Sequence, residues 1–133
     1  MNQNTLPQES QILFYANPDG SVKIDVYFQD ETVWLTQKQM AELFGVEVST
    51  VNYHLKEIFN SLELQENSTI RKIRIVKLEG QRQVEREVEY YHLDAIISVG
   101  YRINSQQATQ FRIWATKTLR EFSSKALRWM MND

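Results

Sequence analysis

The stretch TQKQMAELFGVEVSTVNYHL, residues 36 to 55, decides the fold. Thr36 is a hydroxyl N-cap candidate ahead of a short helix whose apolar positions are Met40, Ala41, Leu43 and Phe44. Gly45 stands where the chain must turn sharply, a place that favours positive φ and a residue without Cβ. Val46 follows as the buried hinge. Ser49 is the cap candidate for a second helix with inward positions Val51, Leu55 and Ile58 or Phe59. A small residue at the crossing, a glycine in the turn and apolar anchors on both sides are what a helix-turn-helix needs. The competing reading is an ordinary helical hairpin in a core.

Upstream, residues 1–10 are polar and read as a disordered tail, so the domain is expected over 11–133. Gln11 to Tyr15 is a short apolar run, and Asn17-Pro18-Asp19-Gly20 is a turn signal. Val22, Ile24, Val26 and Phe28 alternate with polar residues at the period of a half-buried strand. Residues 11–28 therefore read as an N-terminal β-hairpin, and residues 32–35 as a further strand or connector.

Downstream, residues 60–69 read as a polar linker. Ile70, Ile73, Ile75 and Leu78, a Glu79-Gly80-Gln81 turn, then Val84, Val88 and Tyr90 form a second hairpin over 69–91. A hairpin directly after a helix-turn-helix over 36–59 is the layout of a wing. Arg71, Lys72, Arg74, Lys77 and Arg82 lie on it, with Glu79 among them. The alternative is a plain hairpin in which Glu85, Glu87 and Glu89 pair across to those cations.

The helical part is expected over 94–131. Asp94 is the cap candidate for a helix over 95–103, broken by Gly100. A long helix follows from about Gln106, with a stripe of Ala108, Phe111, Ala115, Leu119, Phe122, Ala126 and Trp129 or Met130. Its apolar end suggests either a homodimer through the C-terminal helix or packing back onto the N-terminal hairpin. The whole reads as α+β: a winged helix-turn-helix with an N-terminal β-hairpin and a long C-terminal helix.

The chain has 133 residues, 42% of them hydrophobic, which suits one domain with its own core. It has no cysteine, which excludes disulfides and thiolate chemistry. No segment is long and apolar enough to span a membrane, and the first ten residues lack a secretion-signal layout, so a cytoplasmic protein is expected. The net charge is −2 and the sequence pI about 5.7, low for a strong non-specific DNA binder. The distribution is polarised. Residues 1–67 hold three basic and ten acidic side chains, a balance of −7, and residues 68–133 hold twelve and seven, a balance of +5. Phosphate contacts are expected mainly from the second half.

No catalytic constellation appears. His54 and His92 lack flanking ligands at metal spacing, and neither a nucleophile–histidine–acid order nor a phosphate loop is present. No enzyme, cofactor, metal or small-molecule substrate is expected.

The segment YYHLDAIISVGYRINSQQATQFRIWATKTLRE, residues 90 to 121, is similar to the signature of the virulence RhuM family of bacterial proteins. The similarity extends upstream through the helix-turn-helix and hairpin segments and covers about residues 11–125. It implies a DNA-binding protein of bacterial genomic islands and mobile elements, and it brings no catalytic residues. The family pattern usually carries Asn where this chain has His92. A shorter resemblance links Phe111-Arg112-Ile113-Trp114 to the last helix of phage antirepressor Bro-N domains. The family resemblance directs attention to Tyr101, Arg102, Arg112 and Trp114: the two arginines converge on a bound anion or on Asp94, or the group is an internal salt-bridge and stacking knot that locks two helices together.

The expected function is a transcriptional regulator that binds double-stranded DNA with its second helix in the major groove. Asn52 is the expected base reader, because a carboxamide pairs bidentately with adenine. Ser49 and Thr50 suit phosphates at the helix N-terminus, Tyr53 a sugar or thymine methyl, and Lys56 is a further outward DNA-binding candidate. Arg71, Lys72, Arg74, Lys77 and Arg82 would hold the backbone. The rival is a protein-interaction module, an adaptor, antirepressor or antitoxin-like partner. It is motivated by the −1 balance of residues 36–59 and by Glu47 at the mouth of the second helix.

Overall fold

The structure, a computed structural model, describes residues 11–122. Strand β1 (Gln11–Ala16) turns through Asn17 into β2 (Lys23–Gln29). The Asn17 side chain accepts from Val22 N, and its carbonyl accepts from Gly20 N, so the turn is pinned from both ends. Strand β3 (Thr32–Leu35) follows β2 through Asp30 and Glu31. Both take positive φ, 54° and 65°, the handedness that a two-residue hairpin turn requires.

Helices α1 (Gln37–Phe44), α2 (Val48–Asn60) and the single turn α3 (Glu66–Thr69) come next, then β4 (Ile70–Glu79), β5 (Arg82–His92), α4 (Leu93–Ile103) and α5 (Ser105–Phe122). The two expected hairpins are not separate. One five-stranded antiparallel sheet runs in the order β1-β2-β3-β5-β4, because β5 returns to pair Trp34 with His92 and Leu35 with Tyr91. That junction is only two residue pairs long, so the β4–β5 hairpin extends past the end of β3.

The sheet has unlike faces. Tyr15, Ile24, Val26, Phe28, Val33, Leu35 and Tyr91 join the inward positions of α1, α2, α4 and α5 in the main core. Those helix positions are the ones that periodicity marks: Met40, Leu43 and Phe44, then Val51, Leu55 and Ile58, then Ala108, Phe111 and Ala115. Each full burial of a large apolar side chain is worth about 1.5–3 kcal/mol. The opposite face carries a small second cluster of Tyr27, Trp34 and Ile73 to which no helix residue contributes. No described helix is long and apolar enough to cross a membrane.

Several local expectations are corrected. Ser49 does not cap α2; Glu47 holds the N-cap position without a side-chain bond, and the helix begins at Val48. Asp94 lies inside the first turn of α4, and His92 caps it by accepting from Asp94 N. Gly100 does not break α4, because a close crossing with α1 and α5 requires a residue without a side chain there. Val46 is only half-buried, and the polar linker contains α3. Ala126, Trp129, Met130 and Met131, with the dimer contact expected at that end, lie outside the described residues, as does the tail of residues 1–10.

Candidate nucleic-acid interface

Helix α1 starts where the sequence places it. The Thr36 hydroxyl accepts from Gln39 N at 3.1 Å, and the Gln39 side chain accepts from Thr36 N at 2.9 Å, a complete capping box. The helix stops at Gly45, whose φ of 72° returns its N–H to Ala41 O. Gly45, Val46 and Glu47 then carry the chain into α2. Burial of Val51, Leu55 and Ile58 fixes the rotation of α2. It leaves Ser49, Tyr53 and Lys56 exposed on the outer side, with Thr50 and Asn52 half-buried beside them. Tyr53 is 59% exposed, its ring resting edge-on against His54.

Charge at the α2 N-terminus opposes an anion. Glu42 and Glu47 line the depression at the α1–α2 turn, facing Lys38. Helix N–H groups favour phosphate there, and these carboxylates weaken that attraction.

Asn52 is tied to a chain of polar side chains. Its Nδ2 donates to Gln37 Oε1 at 3.4 Å, and Gln37 Nε2 donates to the Tyr91 hydroxyl at 2.9 Å. Tyr91 donates in turn to Glu89 Oε1 at 3.0 Å. Burial pushes the Tyr91 pKa up to about 12, with the Gln37 bond opposing and Glu89 reinforcing the rise. Gln37 and Tyr91 are functional candidates that sequence reading misses, because only the sheet brings β5 alongside α1.

The hairpin cations divide between two faces. Arg71, Lys77 and Arg82 share one face with Arg86, as the cross-strand pairs Arg71–Tyr90, Ile75–Arg86, Lys77–Val84 and Glu79–Arg82 require. Lys72 and Arg74 occupy the other face, opposite Glu89 and Glu87. Arg74 approaches Glu85 diagonally at 3.9 Å, so one glutamate of the row pairs across in the way the plain-hairpin alternative requires. Glu79 is taken by Arg86 in a two-bond fork at 2.8 and 3.1 Å. That fork lowers the Glu79 pKa and raises that of Arg86. Arg86 is a further cation that sequence reading leaves out, although its place among Val84, Val88 and Tyr90 marks it.

Arg71 differs from its neighbours. Its guanidinium reaches Asp30 at 2.5 Å and Gln29 Oε1 at 2.6 Å, and lies 4.7 Å over the Trp34 ring. It staples β4 to the β2–β3 turn. Lys72, Arg74, Lys77 and Arg82 are exposed.

The cluster after residue 100 forms internal ties. Arg112 Nε donates to the Tyr101 hydroxyl at 3.1 Å, joining α5 to α4, and this bond lowers the Tyr101 pKa. Arg102 pairs with Glu63 beyond α2 at 3.0 Å. Trp114 packs against Tyr15 and Phe111. Asp94 is a partner to neither arginine. Among the described residues, no group of three acidic, histidine or cysteine side chains is placed to hold a metal.

Comparison with curated proteins and with solved structures returned no match to this chain. The model of the Virulence protein RhuM family matches residues 68–133, the stretch that carries β4, β5, α4 and α5. By that match the chain belongs to the Virulence protein RhuM family.

Proposed function

We propose that the protein binds double-stranded DNA and acts as a transcriptional regulator, with α1 and α2 as a helix-turn-helix and β4–β5 as its wing. One observation carries this reading: the Gly45 turn sets α2 against α1 so that Ser49, Tyr53 and Lys56, four and three residues apart, line its outer side with Asn52 half-buried beside them. A helix presented in this way fits the major groove. Asn52 reads a base, Ser49, Thr50 and Lys56 meet phosphates, and Tyr53 packs on sugar or a thymine methyl. Lys77 and Arg82 near the hairpin tip, with Lys72 and Arg74 on its other face, supply phosphate contacts that position without specifying. Arg71 supports the wing from inside.

Selection of bound duplexes from a random pool, read at two salt concentrations, tests this. A consensus enriched at both is expected, and a palindrome would add a two-fold dimer. A pool with no enriched sequence at either salt sinks the reading.

A second reading is a protein-interaction module. Ile12 and Phe14 favour it: they stand 53% and 61% exposed on the sheet face turned away from the helices. Apolar side chains grouped on an open face mark contact surfaces. Under this reading Ile12→Lys with Phe14→Lys abolishes partner capture, while substitutions on α2 leave it unchanged.

A further inference from the structure

We propose that Gln37, Tyr91 and Glu89 form a positioning chain that fixes the orientation of the Asn52 carboxamide and so makes it a reader of adenine; this rests on the DNA-binding reading above. Donor counting carries the argument. The Glu89 carboxylate only accepts, so the single proton of the Tyr91 hydroxyl goes to it across 3.0 Å. The hydroxyl then has only lone pairs left, and Gln37 meets them with Nε2 at 2.9 Å. That turns Gln37 Oε1 toward Asn52, where it accepts one N–H of Nδ2.

Asn52 keeps one N–H and Oδ1, a donor beside an acceptor. The major-groove edge of adenine offers the complement, an N7 acceptor beside an N6 amino donor, whereas guanine offers two acceptors. At 3.4 Å the Asn52–Gln37 bond is the weakest link, and Tyr91, 3% exposed, is the most firmly held. Burial keeps Tyr91 protonated, and therefore a donor, throughout the physiological range. A residue of the hairpin strand β5 thus sets the base choice of a residue on α2.

The test is selection from a random duplex pool with the wild-type chain and with Asn52→Ala, Tyr91→Phe, Glu89→Gln and Glu89→Leu, each also measured on one shuffled duplex. Wild type should favour adenine at one position by roughly tenfold, and Asn52→Ala should lose that preference. Tyr91→Phe removes the anchor and lets the Gln37 amide turn over. Asn52 then presents two N–H groups, and adenine should fall to within about twofold of guanine, with affinity for the shuffled duplex unchanged. Glu89→Leu, which removes the acceptor for the Tyr91 proton, should lose the preference, and Glu89→Gln, which can donate to the hydroxyl as well as accept from it, should weaken it. Retained adenine preference in Tyr91→Phe, with loss in Asn52→Ala, overturns the positioning chain and leaves DNA binding intact. A consensus unchanged in Asn52→Ala removes Asn52 as reader. A wild-type chain that enriches nothing overturns the DNA reading and this inference with it.

Discussion

Gly100 and Phe44 touch where α4 crosses α1: a methyl group on Gly100 would stand 2.6 Å from the Phe44 ring and 2.7 Å from Ala108 Cβ. Helix propensity alone makes glycine to alanine favourable by about 1 kcal/mol. Here Phe44 and Ala108 are both buried, so a methyl group at Gly100 must displace core side chains. Overpacking of this kind costs about 1–3 kcal/mol. Gly100→Ala should therefore lower the thermal midpoint by a few degrees, and Phe44→Leu in the same chain should recover part of the loss. A raised midpoint in the single variant would show that the crossing is loose.

Leu62 offers the opposite case. It follows α2 with φ of 64°, and the bonds Leu62 N to Phe59 O and Glu63 N to Ile58 O close a Schellman turn around it. A left-handed backbone costs a non-glycine residue about 1–2 kcal/mol. Leu62 is 80% exposed, so little packing is lost with its side chain. Leu62→Gly should raise stability by up to about 1 kcal/mol in denaturant unfolding, after the added freedom of the unfolded chain is subtracted. A lower midpoint would mean that the leucine packs on something that outweighs the strain.

What the sequence shows plainly is local. Thr36 as a cap, and Gly45 after Phe44, are enough to place α1 and its turn, because capping and positive φ depend on neighbours in the chain. Gly100 misleads, since its propensity speaks for a break and its tertiary crossing demands the helix. The single sheet is hidden because β3 and β5 meet through Trp34 and His92, which no short-range pattern relates. The split of hairpin cations is legible in principle, as Arg71 and Lys77 are odd-numbered and Lys72 and Arg74 even, and a strand alternates faces. Gln37 and Tyr91 are beyond such reading, because their importance arises only from being placed beside Asn52.

The raised Tyr91 pKa gives a test, needing no DNA, of how firmly the fold buries that phenol. An unfolded tyrosine ionises near 10.0, and Tyr91 in the fold near 12. Below pH 10 both states hold the proton, and the full stability is present. Between about 10 and 12 the unfolded state releases its proton first, so stability falls as pH rises through this window and levels off above it. Tyr91→Phe should be less stable than wild type at pH 8, and its stability should fall less steeply between pH 10 and 12. Parallel curves for the two chains would show that Tyr91 ionises as a free phenol.

Arg71 and Arg74 share one strand and should behave differently. Arg71 is engaged by Asp30, Gln29 and the Trp34 ring, while Arg74 is 69% exposed in its side chain, with Glu85 at 3.9 Å. Exposed ion pairs contribute about 0–1 kcal/mol, so Arg74→Ala should leave the melting temperature nearly unchanged. Arg71→Ala should lower it by a few degrees and shift the Trp34 fluorescence, and Arg71→Lys should not restore it, because an ammonium cannot bridge two acceptors and cover a ring at once. On DNA the order reverses. Arg74→Ala should flatten the plot of log affinity against log salt by about 0.9, the value for one phosphate contact, and Arg71→Ala should leave the slope alone. An unchanged slope in Arg74→Ala takes that residue out of the interface. A flattened slope in Arg71→Ala, at unchanged melting temperature, would mean that its ties to Asp30 and Trp34 give way to a phosphate.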